Sequence, residues 1–404
     1  MAALAYSFLQ EFKIMRRLRR NERPGAARGG NALVRLATSA ATAGSKLEDS
    51  YWAARLEQAV RPLLTATGQH TIEAALDRLW NSNGRGYDLL ADAVESTIEA
   101  GTLERGDARY DTLVFVLPAL AWSHTRIAHG PLRQADLDAL LVQLGAHVFA
   151  PDARIALATR LLTPDQLPNS YHEEAMLARE LMAAAVDGKH VTLRADRVPE
   201  AIDFVADARY LIGAVAVPAG QPIFAWQSDD ITIEAATEAW TAQGGAVFGA
   251  MLAGTNCEVL MPGAFYSTMR RVDRSARVFY LRSGVAFLET TLGRPAAQLG
   301  AAFAPFYDNE LVEYRIGLTV GREDEVYHGV TWPVLSADDV ENAPEQIREV
   351  LAQVGVTQVF EHEHRFPLEF CEDCGAPLFP NAQGDVVHAE LPEDAEPPHL
   401  HHLH

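Results

Sequence analysis

Tyr210-Leu211-Ile212-Gly213-Ala214-Val215-Ala216-Val217 decides how this chain is read. The run is apolar throughout, is rich in β-branched and aromatic residues, and is too short for an average helix, so it reads as a strand. It has company on both sides. Residues 191–193, 223–226, 259–261, 314–320 and 326–330 have the same character. Helical patterns intervene at about 233–243, 275–292 and 344–354. Strands and helices mixed in this way predict an α+β domain over 191–404.

The deciding stretch also has an echo. Tyr210-Leu211-Ile212-Gly213 recurs as Tyr314-Arg315-Ile316-Gly317, and Trp226 has a counterpart in Trp332. Ala242-Gln243 and Gly245 match Ala352-Gln353 and Gly355, and Val259 matches Val359. The unit implied is strand, strand, helix, strand, used twice over 209–272 and 313–364. Two such units would pack sheet to sheet or extend one sheet about a pseudo-twofold axis.

Toward the N-terminus the period changes. Tyr51, Trp52, Leu56, Val60, Leu63 and Leu64 fall at three- and four-residue steps, and similar apolar stripes run through 72–80, 87–98, 111–127, 135–149 and 173–186. Gly84-Arg85-Gly86, Gly130-Pro131 and Pro151-Asp152 punctuate them. The expectation is a helical domain over 46–190, an array or bundle of closely linked neighbours. Before it, residues 1–45 read as a basic, flexible arm.

Charge is uneven. The formal net charge is −20, yet residues 1–36 carry eight Lys/Arg against two Glu, a net of +6. From Cys371 onward there are seven Asp/Glu and no Lys or Arg. The acidic body opposes nonspecific binding of nucleic acid, and only the N-terminal arm, at Arg16-Arg17-Leu18-Arg19-Arg20, has the sign to attract phosphates. Such charge runs are commonly just solvated. No apolar run approaches the roughly 18 residues of a membrane span. The opening residues, broken by Glu11 and Lys13, lack the apolar core of a secretory signal. Three cysteines, Cys257, Cys371 and Cys374, make no disulfide framework. A reducing, cytoplasmic setting is the expectation.

Two of those cysteines carry the strongest chemical signal. Cys371-Glu372-Asp373-Cys374-Gly375 is a Cys-x2-Cys-Gly knuckle, approached by His362-Glu363-His364 and followed by His388. Two thiolates on one side of a tight turn, completed by neutral imidazoles, suit tetrahedral zinc. His362 and His364 share one face if they lie on a strand, with Glu363 facing away. A hairpin turning at 381–384 would return His388 to the knuckle. The candidate metal ligands are therefore Cys371 and Cys374, then His364, His362 and His388, within a metal-binding segment 362–392. Two thiolates and two imidazoles would close the shell, which describes a structural zinc. A His-rich tail, 393–404, has His399, His401, His402 and His404 for weak nickel, copper or zinc binding.

Other constellations have plainer readings. Asp229-Asp230 and Asp338-Asp339 can pair for a cation or for acid–base work, but Ser228 and Ser336 stand beside them ahead of helices, which reads as capping. Trp122-Ser123-His124 and His129, on or just after an apolar helix, lack a third partner for a triad. Cys257, ahead of an apolar strand, reads as buried and inert. Nucleotide and hydrolase signatures such as Gly-x-Gly-x-x-Gly, the phosphate loop, His-Glu-x-x-His and Gly-x-Ser-x-Gly do not occur.

Leu33-Val34-Arg35-Leu36-Ala37-Thr38-Ser39-Ala40, Ser45-Lys46-Leu47-Glu48-Asp49-Ser50-Tyr51-Trp52, and the ending from Phe370 through Asn381 to Pro392 resemble a mainly beta-proteobacterial family catalogued only as a domain of unknown function. The resemblance covers nearly all of the chain after about residue 30. It implies that the Cys371–His388 segment is intrinsic to the protein, and it supplies no activity or catalytic residue. The functional expectation is a non-catalytic cytoplasmic scaffold or regulatory protein with a structural zinc and an unidentified protein partner. The alternatives are a metal-dependent hydrolase and nucleic-acid binding through the basic arm.

Overall fold

The computed structural model describes residues 26–392 other than 125, 202–204 and 229. Four helices come first: α1 (Ala26–Ala40), α2 (Lys46–Val60), α3 (Gln69–Trp80) and α4 (Gly84–Glu99). The chain continues through β1 (Ala100–Arg105), β2 (Ala108–Trp122), β3 (Gly130–Pro131), α5 (Gln134–His147), β4 (Arg154–Leu157), β5 (Arg160–Leu161) and α6 (Tyr171–Asp187). Then come β6 (Ala206–Pro218), α7 (Ile233–Met251), β7 (Asn256–Val259), β8 (Gly263–Ala264) and α8 (Phe265–Leu292). The last part holds β9 (Leu299–Asp308), β10 (Glu310–Val320), β11 (His328–Pro333), α9 (Ala337–Gln353), β12 (Gln358–Glu361), β13 (Phe366–Pro367), β14 (Phe379–Pro380) and β15 (Val386–Val387). The class is α+β, with helices leading and mixed sheets following.

Residues 26–30 and onward, expected within a flexible arm, are helix. Leu33, Ala37 and Ala40 are buried where α1 packs on α3. The alanines of a stretch that suggests a linker are here part of a helix's buried side. Ser45 caps α2 by accepting from the Glu48 amide, and Ser170 caps α6 by accepting from Glu173.

A second correction is larger. The apolar stripe at 111–127, expected as helix, is mostly the strand β2, the longest of the first sheet. Its sheet runs β1-β2-β6-β4, with β8 and β7 following β1 along the edge of β2 opposite β6. β2 lies between two helical layers. Val114, Val116 and Leu120 face the core shared with α6 and α8, while Phe115, Leu117 and Ala119 face α5 and α7. A strand buried on both faces shows a continuous apolar run and loses the period of two that would mark it. Trp122-Ser123-His124 accordingly ends a strand instead of a helix, with His124 stacked on Phe287 and edge-to-face with Trp122. Cys257 sits in β7 opposite Ala121, and burial pushes its thiol up to about 11.

The second sheet runs β11-β10-β9-β12, with β13 beside β9. α8 packs against β2, β6 and β11 and so lies between the two sheets. One apolar core is continuous from Leu33 to Val356. Of the two stretches noted as echoes, Tyr210–Gly213 lies in β6, followed by a 3-10 turn and α7, and Tyr314–Gly317 lies in β10, followed by β11 and α9. Their surroundings differ. Trp332 lies in β11, whereas Trp226 lies in a 3-10 turn, and β12 runs parallel to β9 while β7 runs antiparallel to β2.

The two faces of the second sheet are unlike. Tyr314, Ile316 and Leu318 of β10 join the main core against α8 and α9. The alternate residues, Glu313, Arg315, Gly317 and Thr319, face the other way. That outer face is covered by residues 366–391, which have little regular structure. Phe366 stacks on Phe306 with centroids 5.3 Å apart. Phe379 lies over Gly329, where a Cβ would fall 2.2 Å from the ring, and a Cβ at Gly317 would fall 2.3 Å from the Pro380 carbonyl. The sheet thus presents glycines where the covering chain comes closest. On the first sheet, the corresponding outward face is covered by α5 and α7.

Candidate metal centre

The knuckle forms as its residues dictate. The Cys371 amide donates to the Ala376 carbonyl at 2.7 Å, and the Gly375 amide returns to the Cys371 carbonyl at 2.8 Å. Gly375 sits at φ 71°, a left-handed value that glycine adopts without a Cβ clash. Phe370 and Pro377 pair across the neck of the loop. The amides of Cys374 and Asp373 point at the Cys371 sulfur and hold its thiol below the ordinary value. Amides directed at sulfur favour the thiolate, the form that binds metal.

A hairpin brings the imidazole. β14 and β15 pair antiparallel, Phe379 with Val387 and Pro380 with Val386. Asn381 builds the turn: its side-chain oxygen accepts from the amides of Gln383 and Asp385, and its side-chain nitrogen donates to the Asp324 carbonyl at 3.0 Å. His388 follows β15, and its Nε2 stands 3.2 Å from Cys374 Sγ. The donor atoms of Cys371, Cys374 and His388 all lie within 4.8 Å of one another. A tetrahedral zinc with bonds of about 2.3 Å to sulfur and 2.0 Å to nitrogen separates those donors by about 3.6 Å. Accommodating an ion therefore asks the donors to move by no more than about an ångström. On the other side of the ring, His388 Nδ1 lies 3.1 Å from Glu390 Oε1. That contact is a charge approach and not a hydrogen bond, and His388 Nδ1 has no hydrogen-bond partner among the described residues.

Of the five expected ligands, the structure gathers three. His388, placed last in the expected order, joins the cysteines. His362 and His364 stand elsewhere: His362 Nε2 contacts the Asn381 carbonyl at 2.9 Å, and His364 packs on Phe366 with centroids 4.1 Å apart. Both rings border Gly384. They support the hairpin turn and are not in the three-residue group found among the described residues. The tail 393–404, with its histidines, lies outside the described residues, as do Asp229 and residues 1–25 of the basic arm. Asp339 caps α9, accepting from the Leu335 and Ser336 amides, and pairs with Arg277 at 3.1 Å. The structure therefore gives Asp339 the capping role expected of it.

Three residues matter here that the sequence reading passed over. Arg315, fully buried on the outer face of β10, sends Nη1 to the carbonyls of Glu369 at 2.5 Å and Leu378 at 2.9 Å. Those carbonyls flank the knuckle. Its guanidinium also lies 4.4 Å from the Phe306 ring centre and 5.0 Å from that of Phe370. Glu313 accepts from Arg315 Nε at 2.7 Å, and burial pushes its carboxyl up against the pull of Arg315. The signal was present as Glu313-Tyr314-Arg315, charges at a period of two inside an apolar strand. Glu390, the carboxylate behind His388, was visible only once the chain was folded.

The family described as "Protein of unknown function (DUF2863)" matches residues 18–402. No curated protein matches the chain, and no solved structure does.

Proposed function

The chain belongs to that family, and from the geometry of its C-terminal segment we propose that it is a non-catalytic zinc-binding protein. In this reading zinc joins Cys371, Cys374 and His388 and fastens residues 366–391 over the outer face of the second sheet. One observation carries it: two thiols and an imidazole, contributed by a knuckle and a separate hairpin, converge within 4.8 Å. Nitrogen and sulfur donors of this kind select zinc over hard cations.

The covering segment has reason to need the ion. It is acidic, and its own apolar clusters are small, built around Phe379 with Val326 and Ala389, and around Phe366 with Phe306 and Ala304. A structural zinc contributes on the order of 10 kcal/mol to folding in finger peptides. We assign the protein a scaffold or regulatory role toward a protein partner, in the reducing cytoplasm that unpaired Cys371 and Cys374 suit. Among the described residues no helix is long and apolar enough to cross a membrane.

The count of three favours a second reading. Three protein ligands and one open position is also the pattern of a catalytic zinc, which lowers the pKa of its bound water to about 7. A metal-dependent hydrolase is the alternative. X-ray absorption on the zinc-loaded protein separates the two. Four protein donors, or a shell whose zinc is inert toward activated esters, supports the structural role. A bound water with zinc-dependent hydrolysis that is lost in Cys371→Ser supports the enzyme.

A further inference from the structure

We infer that Arg315 is the positioning residue of the metal centre: it sets the geometry of the knuckle from inside the sheet without touching the ion. The inference rests on the zinc reading above and goes one step beyond it.

Arg315 is completely buried, on an inner strand of the second sheet, and its charge is met by Glu313 two residues earlier. One nitrogen reaches both arms of the loop, the Glu369 carbonyl on the entering side and the Leu378 carbonyl on the leaving side. Between them lie the Phe370–Pro377 pairing, the knuckle and both thiols. Phe306 and Phe370 flank the guanidinium, so the fork has little freedom to turn. Arg315 therefore fixes the separation of the two arms, and with it the relation of Cys371 and Cys374 to the hairpin that bears His388.

The first sheet uses the same device without a metal. Arg209 on β6, equally buried, pairs with Asp207 two residues earlier. It donates through Nη2 to the Ile127 carbonyl at 3.0 Å and through Nε to that of Ala128 at 3.0 Å. Each sheet thus carries a carboxylate-x-Arg pair on its outer face whose arginine clasps carbonyls of the segment passing over it. Asp207-x-Arg209 and Glu313-x-Arg315 sit two positions out of step with the Tyr210/Tyr314 echo, so they are related by role and not by that alignment. In one case the clasped segment is a plain loop. In the other it is the metal loop.

A buried ion pair is a weak source of net stability, because desolvating the charges offsets most of their attraction. What it gives instead is a fixed arrangement, which is the requirement of a metal site whose ligands come from two separate segments. Outer residues that orient ligands typically change metal affinity by about 10- to 100-fold when altered.

The test measures zinc affinity by competition with a chromophoric chelator on the full chain, beside thermal unfolding of the same samples. Arg315→Lys keeps the charge opposite Glu313 but cannot hold both carbonyls. It is expected to weaken zinc by about 10-fold or more and to alter the thiolate-to-metal band of the cobalt-substituted protein. Arg209→Lys, the control, is expected to lower unfolding temperature while leaving zinc affinity within about 2-fold of wild type, as an outer-shell effect confined to the other sheet requires. If Arg315→Lys does not fold, the double variant Glu313→Leu/Arg315→Met removes the pair together and keeps the volume. Folded variants at position 315 that bind zinc as wild type does would overturn the inference. So would an equal loss of affinity in the Arg209 control. A wild-type chain that takes up no zinc would instead defeat the zinc reading itself.

Discussion

Phe379→Ala is the sharpest probe of the cover. The side chain is 1% exposed and forms a small cluster with Val326 and Ala389, with Val387 against it. Its ring lies on Gly329, which has no side chain that could move into the space left behind. Truncating a buried Phe costs about 3–5 kcal/mol. The cluster is small and near the surface, so water enters part of the hole and the lower figure applies, about 3 kcal/mol. That is a factor of about 150 in the equilibrium between docked and undocked cover. Hydrogen exchange reads this directly. The amides of Asn381, bonded to the Asp385 carbonyl at 2.9 Å, and of Glu390, bonded to the Val326 carbonyl at 2.9 Å, belong to the cover. Both are expected to exchange about 100-fold faster in the variant, and zinc binding is expected to weaken because His388 follows the hairpin. The amides pairing β2 with β6 belong to the first sheet and should not change. Unaltered exchange at Asn381 and Glu390, or equal acceleration in β2 and β6, would refute the view of 366–391 as a separately docked cover.

Gly317→Ala places a Cβ 2.3 Å from the Pro380 carbonyl, so it should destabilise by about 1–3 kcal/mol through overpacking and should also weaken zinc binding. Zinc affinity should fall as pH is lowered, because the thiols and the imidazole must lose their protons to bind, and Cys371→Ser should abolish stoichiometric binding at any pH. Glu99, pushed up to about 7 chiefly by burial, gives a separate pH signature. Its folded value exceeds its unfolded one, so its contribution is unpenalised below about pH 4.5 and stability falls between about pH 4.5 and 7 as the unfolded chain gives up the proton first. Asp207, also pushed up to about 7 by burial, adds a slope of the same sign, so Glu99→Gln should lessen the fall by roughly 3 kcal/mol at most and not abolish it when variant and wild type are compared by denaturant unfolding at fixed zinc. A slope identical in variant and wild type would refute the assignment to Glu99.

What could be read before folding follows the range of each interaction. The knuckle was legible because Cys371, Cys374 and Gly375 act within one turn, and the hairpin because Asn381 and Gly384 mark its bend locally. The choice among imidazoles was not. His362 and His364 are nearer in sequence to the knuckle neck, but His362 is held by the Asn381 carbonyl, and it is the hairpin register that delivers His388. The helical opening was legible from its three- and four-residue steps. β2 was not, because its two buried faces erase the alternation that distinguishes a strand, although Val114, Phe115 and Val116 favour one. Helix α1 was misread as linker because the Pro24-Gly25 and Gly29-Gly30 signals outweighed the helical spacing of Leu33, Ala37 and Ala40, the side it buries against α3. Arg315 escaped notice since a charge inside an apolar strand usually marks an exposed edge, and only the folded chain places carbonyls around it.

The most direct measurement is the metal content of the full chain purified without added zinc, followed by hydrogen exchange before and after chelation. About one equivalent of zinc is expected, with residues 368–390 losing protection on chelation while the first sheet keeps it. A metal-free protein whose Asn381 and Glu390 amides are already fully protected would contradict the claim that an ion fastens this cover.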